Sequence, residues 1–136
     1  MIHVDSSFAI DLLREQRREP GPASTWVEAH PAEALGLSVF VACELEAGAG
    51  AAAAAHPGRE RTRVREFLNA FTVVFPDDRF AATCGALLAR MQQRGRTIGI
   101  MDLLIASTAI IDRAPLLTSN RRHFDAVPDL TVLSYR

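Results

Sequence analysis

Short apolar runs alternate with helical stretches along the whole of this 136-residue chain, and that alternation leaves few folds open. The strand signals fall at Ile2–Val4, Ala34–Ser38, Thr72–Phe75, Leu116–Ser119 and Leu130–Ser134. A helix between two strands carries the chain back to its starting edge, so successive strands align parallel. The spacing therefore predicts an α/β fold around a mostly parallel sheet of about five strands. No internal repeat or shift in composition marks a second unit, so residues 1–136 are expected to form one domain.

The helices follow from apolar spacing and from their stop signals. Ser6 to about Arg18 pairs Phe8 with Leu12 and Ala9 with Leu13 at i,i+4, and Pro20-Gly21-Pro22 ends it. Ala23 to Ala29 is a second, short helix anchored by Trp26. Val39 to about Ala55 is a third, weakened by Gly48 and Gly50 and closed by His56-Pro57-Gly58. Arg59–Phe71, Arg79 to about Arg94 (closed by Gly95), Asp102–Arg113 and a short turn over Arg121–Ala126 complete the set. The alanine-rich tract over residues 49–55 carries no chemistry.

Composition excludes several classes. Hydrophobic content of 49% with 23% charged residues describes a folded globule, not a disordered chain. No stretch approaches the ~18 apolar residues of a membrane span, and Asp5 interrupts any signal-like start, so a cytoplasmic protein is expected. Cys43 and Cys84 sit in apolar helical contexts and are expected to be buried, small hydrophobes; they form no zinc-ligand pattern. The net charge of −1 neither recommends nor excludes nucleic acid. Lysine is absent and every other non-histidine base is arginine, in keeping with the alanine-rich bias of the whole chain.

Three of the sixteen acids stand apart. Asp11, Glu15 and Glu19 share a helix with Arg14, Arg17 and Arg18, as a solvated face would. Asp5 instead lies at a strand-to-helix junction, the place where open α/β sheets put their pockets; the alternatives for it are a helix N-cap and a pocket-lining acid. On the third helix, at ~100° per residue, Val41, Leu45 and Gly48 share one sector. Glu44 lies roughly 70° from the middle of that sector and Glu46 roughly 130°, so Glu44 belongs at the rim of the buried face and Glu46 in solvent. Asp102 precedes a run of nearly unbroken apolar residues, so the helix it opens is expected to be interior with a shielded N-terminus. Isolated carboxylates are costly in such places. Brought together, the three would make a hard oxygen site suited to Mg²⁺ or Mn²⁺.

These residues carry a resemblance. Asp5-Ser6-Ser7 after the first strand is followed by Glu44-Leu45-x-x-Gly48, then by Gly99-x-x-Asp102-x-x-Ile105-Ala106-x-x-Ala109. Leu117-Thr118-x-Asn120 and Phe124 close the series. In order and spacing the chain resembles the PIN domain, and within it the VapC-type toxins of type II toxin–antitoxin pairs. The approach over residues 95–102 and the run Asn120-Arg121-Arg122-His123-Phe124 are especially similar. The resemblance implies a three-layer α/β/α fold and an endoribonuclease that cuts structured RNA, tRNA or a ribosomal RNA loop, and so halts translation. It implies Asp5, Glu44 and Asp102 as ligands of Mg²⁺ or Mn²⁺. Asn120 stands where some members have a fourth acid, while Ser7 and Thr118 match hydroxyls that line the pocket. It further implies a VapB-type antitoxin, a homodimer, and DNA bound only through the antitoxin. The alternatives are a PIN-fold nuclease that processes RNA or cuts DNA, and a catalytically silent binding domain. Arg121, Arg122 and His123 are candidates for phosphate contact.

Overall fold

The computed structural model describes residues 1–52 and 58–136. It contains a five-stranded, wholly parallel sheet with strand order β3-β2-β1-β4-β5. The strands are β1 (Ile2–Val4), β2 (Leu35–Ser38), β3 (Thr72–Val74), β4 (Leu116–Thr118) and β5 (Val132–Ser134). The helices are α1 (Ser6–Glu15), α2 (Pro22–Ala29), α3 (Val39–Ala52), α4 (Arg59–Leu68), α5 (Phe80–Gln93), α6 (Ile100–Ile111) and α7 (Arg121–Phe124). All three residues of β1 and of β4 are buried, so helices cover both faces of the sheet centre, and the expected three layers are present. Each end of a strand or helix falls within a few residues of its sequence signal.

The chain starts in the middle of the sheet, moves outward through β2 and β3, then returns to the other side of β1 for β4 and β5. The switch in direction lies between β1 and β4, where Val4 aligns with Leu117. Diverging connections there leave a crevice beyond the carboxyl ends of the strands. Beneath it, Phe8 is fully buried and meets Trp26 and Tyr135 edge-on, at 6.0 and 4.9 Å between ring centres. Tyr135 thereby ties the chain's end to α1.

Several expectations are corrected. α1 ends at Glu15 rather than near Arg18, because Arg17 and Arg18 donate to carbonyls only three residues back and tighten the chain into turns. The final residues of the alanine-rich stretch and most of the His56-Pro57-Gly58 break, residues 53–57, lie outside the described residues. Cys43 is exposed and Cys84 half-buried. On α3 the buried positions are Val41, Ala42, Leu45 and Ala49, which puts Cys43 on the opposite side. On α5 the buried positions are Leu87 and Met91, with Cys84 at their edge. Gly48 is exposed too, lining an open groove between α1, α3 and α4.

Glu15 is not part of a solvated face. Its carboxylate accepts from the backbone N–H groups of Gly21, Ala23 and Ser24 and from the Ser24 hydroxyl, at 2.6–3.1 Å, and so caps the start of α2 from a different helix. A Cβ at Gly21 would come within 2.7 Å of that carboxylate, which explains the glycine. Burial works against its ionisation, but the Ser24 hydroxyl and the three amides outweigh it and hold the group below its ordinary range. Glu15→Ala should therefore cost about 1–2 kcal/mol of stability at neutral pH, whereas Glu19→Ala should cost almost nothing. Because the folded value is depressed, the contribution is complete above the unfolded value of about 4.3 and is lost as pH falls through the folded one. Urea unfolding at pH 7 and in acid would read both effects.

Candidate active site

Asp5 follows β1 directly and is 4% exposed. One of its oxygens caps α1, accepting from the Phe8 N–H at 3.0 Å and from the Ser7 hydroxyl at 2.6 Å. The other accepts from the Thr118 hydroxyl at the end of β4, at 2.5 Å. The capping role and the pocket-lining role thus fall to one side chain. Ser7 also accepts from the Ser119 N–H at 3.1 Å, and Thr118, fully buried, accepts from the Asn120 N–H at 2.9 Å. The two hydroxyls lock the β1 and β4 ends together around Asp5. Thr118→Val keeps the shape but deprives a buried carboxylate of a donor, so thermal or urea unfolding should show a loss of about 1–3 kcal/mol.

Glu44 projects from the second turn of α3 and is half-buried, while Glu46 is exposed, as the helical geometry predicts. The Ser6 hydroxyl at the start of α1 donates to Glu44. Asp102 is not the first residue of its helix: α6 begins at Ile100 with Gly99 as its N-cap. Nor is that end shielded, since Ile100 is 66% exposed. The apolar run does form an interior helix, with Leu103 and residues 105–109 buried, but its first turn emerges at the crevice. Asp102 sits in that turn without a capping bond and accepts instead from His123 on α7, 3.0 Å from Nδ1.

All three acids line one cleft of about 470 Å³, together with Ser7, Asn120 and His123. Thr118 lies just beneath it, behind Asp5. Burial pushes the Asp5 carboxyl above its ordinary range, the hydroxyls and the Phe8 amide oppose this, and the Asp102 charge adds to it. Burial likewise raises Glu44, followed by the charges of Asp102 and Asp5. The acids are therefore close enough to repel one another electrostatically. Their side chains are not closed around one point: among the described residues, no three His, Cys, Asp or Glu groups are set to grip a single ion. Glu44 turns toward Ser6 and Asp102 toward His123. The donor set fits a hard divalent cation in kind, being all oxygen and carrying like charges that a cation would offset.

Sequence reasoning missed part of this cleft. Asp11 and Arg136 also line it. Asp11 accepts from the Tyr135 hydroxyl at 2.7 Å and pairs with Arg136; burial opposes its ionisation, but these two partners hold its carboxyl down. The i,i+3 and i,i+4 neighbours of Asp11 carried no sign of a contact 125 residues away. His3 was missed in the same way. It is buried in β1, pairs with Asp112 at the end of α6 at 2.7 Å, and is lowered by burial against the pull of that carboxylate.

The PIN domain family matches residues 2–130. Ribonuclease VapC19 of Mycobacterium tuberculosis is 34% identical, covering 93% of this chain and 94% of its own. Ribonuclease VapC1 of Methanocaldococcus jannaschii is 28% identical over 98% and 86%. Among solved structures, VapBC2 from Rickettsia felis bound to a promoter DNA fragment superposes with a TM-score of 0.88 at 23% identity, over 100% of both chains. DNA-bound VapBC from Salmonella typhimurium gives 0.85 at 21%, again over 100% of both. At such identities the structural likeness speaks for the fold. Among the described residues, no helix is long and apolar enough to cross a membrane.

Proposed function

The chain belongs to the PIN domain family, and from that premise we propose that it is an endoribonuclease, the toxin of a type II toxin–antitoxin pair. The observation that carries the reading is the convergence of Asp5, Glu44 and Asp102 on one cleft at the switch point of the sheet. Those three carboxylates would hold Mg²⁺ or Mn²⁺. A cation of this kind supplies polarisation of a phosphate oxygen and a water acidic enough to react near neutral pH.

The chain's own contributions follow from the contacts. Ser7, Thr118 and the Phe8 amide fix the Asp5 carboxylate in a single orientation. Ser6 steadies Glu44 and His123 steadies Asp102. Asn120 offers an amide that can orient a water or a phosphate oxygen but adds no charge. In-line hydrolysis at phosphorus would release a 3′-hydroxyl and leave a 5′-phosphate on the other product. None of the four histidines is needed as a base for attack by the ribose 2′-hydroxyl.

The proposed substrate is structured RNA, tRNA or a ribosomal RNA loop, with arrest of translation as the outcome in the cytoplasm. The proposed partner is a VapB-type antitoxin, which would bring any DNA contact; the solved relatives include VapBC complexes. A homodimer and a single-domain chain complete the reading. Purified protein incubated with Mg²⁺ and separate tRNA, ribosomal RNA and single-stranded DNA tests it. RNA should be cut to 5′-phosphorylated ends, DNA left intact, and chelation should stop the reaction. Cleavage of DNA alone would favour a different nuclease, and no cleavage of any substrate would favour a silent binding domain.

A further inference from the structure

A second cleft shares a wall with the acidic one. It measures about 360 Å³ and is lined by Arg96, Thr97, Gly99 and Arg122, with Asp102 and His123 facing both clefts. Arg96 lies in the connector before α6 and Arg122 on α7, so only the fold brings them to one place. Both are exposed, and among the described residues neither forms an ion pair.

What separates this cleft from the others is that, among the described residues, it holds two arginines outside any ion pair. The acidic cleft sets Asp5, Asp11, Glu44 and Asp102 against Arg14 and Arg136. The groove between α1, α3 and α4 has Arg14, Arg17 and Arg63 with Glu44 and Glu60, and Glu60 pairs with both Arg17 and Arg63; the cleft beside Pro128 has Arg90 paired with Asp129. Here two arginines meet one carboxylate, and that carboxylate is already bonded to His123. Arg121 is in neither cleft; it pairs with Asp125 at 3.2 Å.

We propose that the Arg96–Arg122 cleft is a subsite for a phosphodiester of the RNA strand adjoining the one cut at the acids. The inference rests on the ribonuclease reading and adds to it where the strand runs. A polyanion is repelled by a cleft rich in carboxylates and needs cationic contacts beside it. Guanidinium groups match phosphate oxygens in pairs, and the Thr97 hydroxyl adds a further donor. The shared wall makes the two clefts consecutive stations along one strand. The subsite therefore governs binding and the choice of cut position, not the chemical step.

Fluorescence anisotropy with a 5′-labelled single-stranded RNA oligonucleotide, in Mg²⁺ and on a Glu44→Gln background that leaves the RNA intact, tests the subsite. Arg96→Ala and Arg122→Ala should each weaken binding about ten-fold. The slope of log affinity against log salt should become shallower by about 0.7 for each phosphate that is no longer neutralised. Arg122→Lys should recover part of the affinity, and Arg65→Ala on α4 should change nothing. In the otherwise native protein the alanine variants should raise KM and leave kcat nearly unchanged. Wild-type affinity and salt slope in both alanine variants would overturn the subsite while leaving the ribonuclease reading intact. If the parent protein neither binds nor cuts RNA, that reading falls and the subsite with it.

Discussion

Asp102→Asn should abolish RNA cleavage while leaving the fold in place. Asp102 is about a third exposed and, among the described residues, caps nothing and bonds only to His123, so exchanging its carboxylate for an amide disturbs little packing. It even removes a charge that helps push Glu44 and Asp5 up, so stability should be unchanged or slightly higher. The loss in kcat/KM should be at least 10²–10³-fold, the scale for removing one electrostatic contributor from a reaction centre, or about 3–4 kcal/mol of barrier. Asp5→Asn would be a poorer test. Asp5 also caps α1 and takes two hydroxyl bonds, so its loss mixes folding with chemistry. Wild-type cutting by Asp102→Asn, read on a tRNA or ribosomal RNA substrate, would remove it from the site.

The second large effect is stabilisation by the cation. Without one, burial and mutual repulsion hold Asp5 and Glu44 above their ordinary range, an unfavourable state built into the fold. A ligand bound only by the folded chain adds RT ln(1 + [L]/Kd), about 2.7 kcal/mol at a hundred-fold excess over Kd. For a domain of this size that is a rise in Tm on the order of 10 °C. Mg²⁺ and Mn²⁺ should both produce the shift, and Asp102→Asn should lose most of it. A melting temperature indifferent to either ion, at concentrations that support cleavage, would separate the acids from any metal role.

The fold was legible because it depends on local signals. Strand and helix alternation, with stops at Pro20-Gly21-Pro22 and at Gly95, whose φ is +65°, fixes the parallel sheet almost by itself. Helical phase also separated Glu44 from Glu46. Local reasoning failed where a distant part of the chain supplied the partner. Glu15 looked solvated because its own helix offers it arginines, yet the start of α2 takes its carboxylate. Asp11 looked solvated until Tyr135 returned to α1. Cys43 was assigned by the apolar character of its neighbours, although burial on a helix is decided by face. Asp102 was taken as the first residue of its helix, which in fact begins two residues earlier, and the shielded start expected there fails because the apolar Ile100 is exposed. Hydropathy cannot distinguish an apolar residue in the core from one at the mouth of a crevice.

Single and paired substitutions at Glu44 and Asp102 test the central claim most directly, by comparing RNA cleavage rates of Glu44→Gln, Asp102→Asn and the double variant under one set of Mg²⁺ conditions. Groups that act as one unit lose their function together, so the double variant should be little slower than either single one. Losses that multiply, or a single variant that keeps the native rate, would contradict a shared centre.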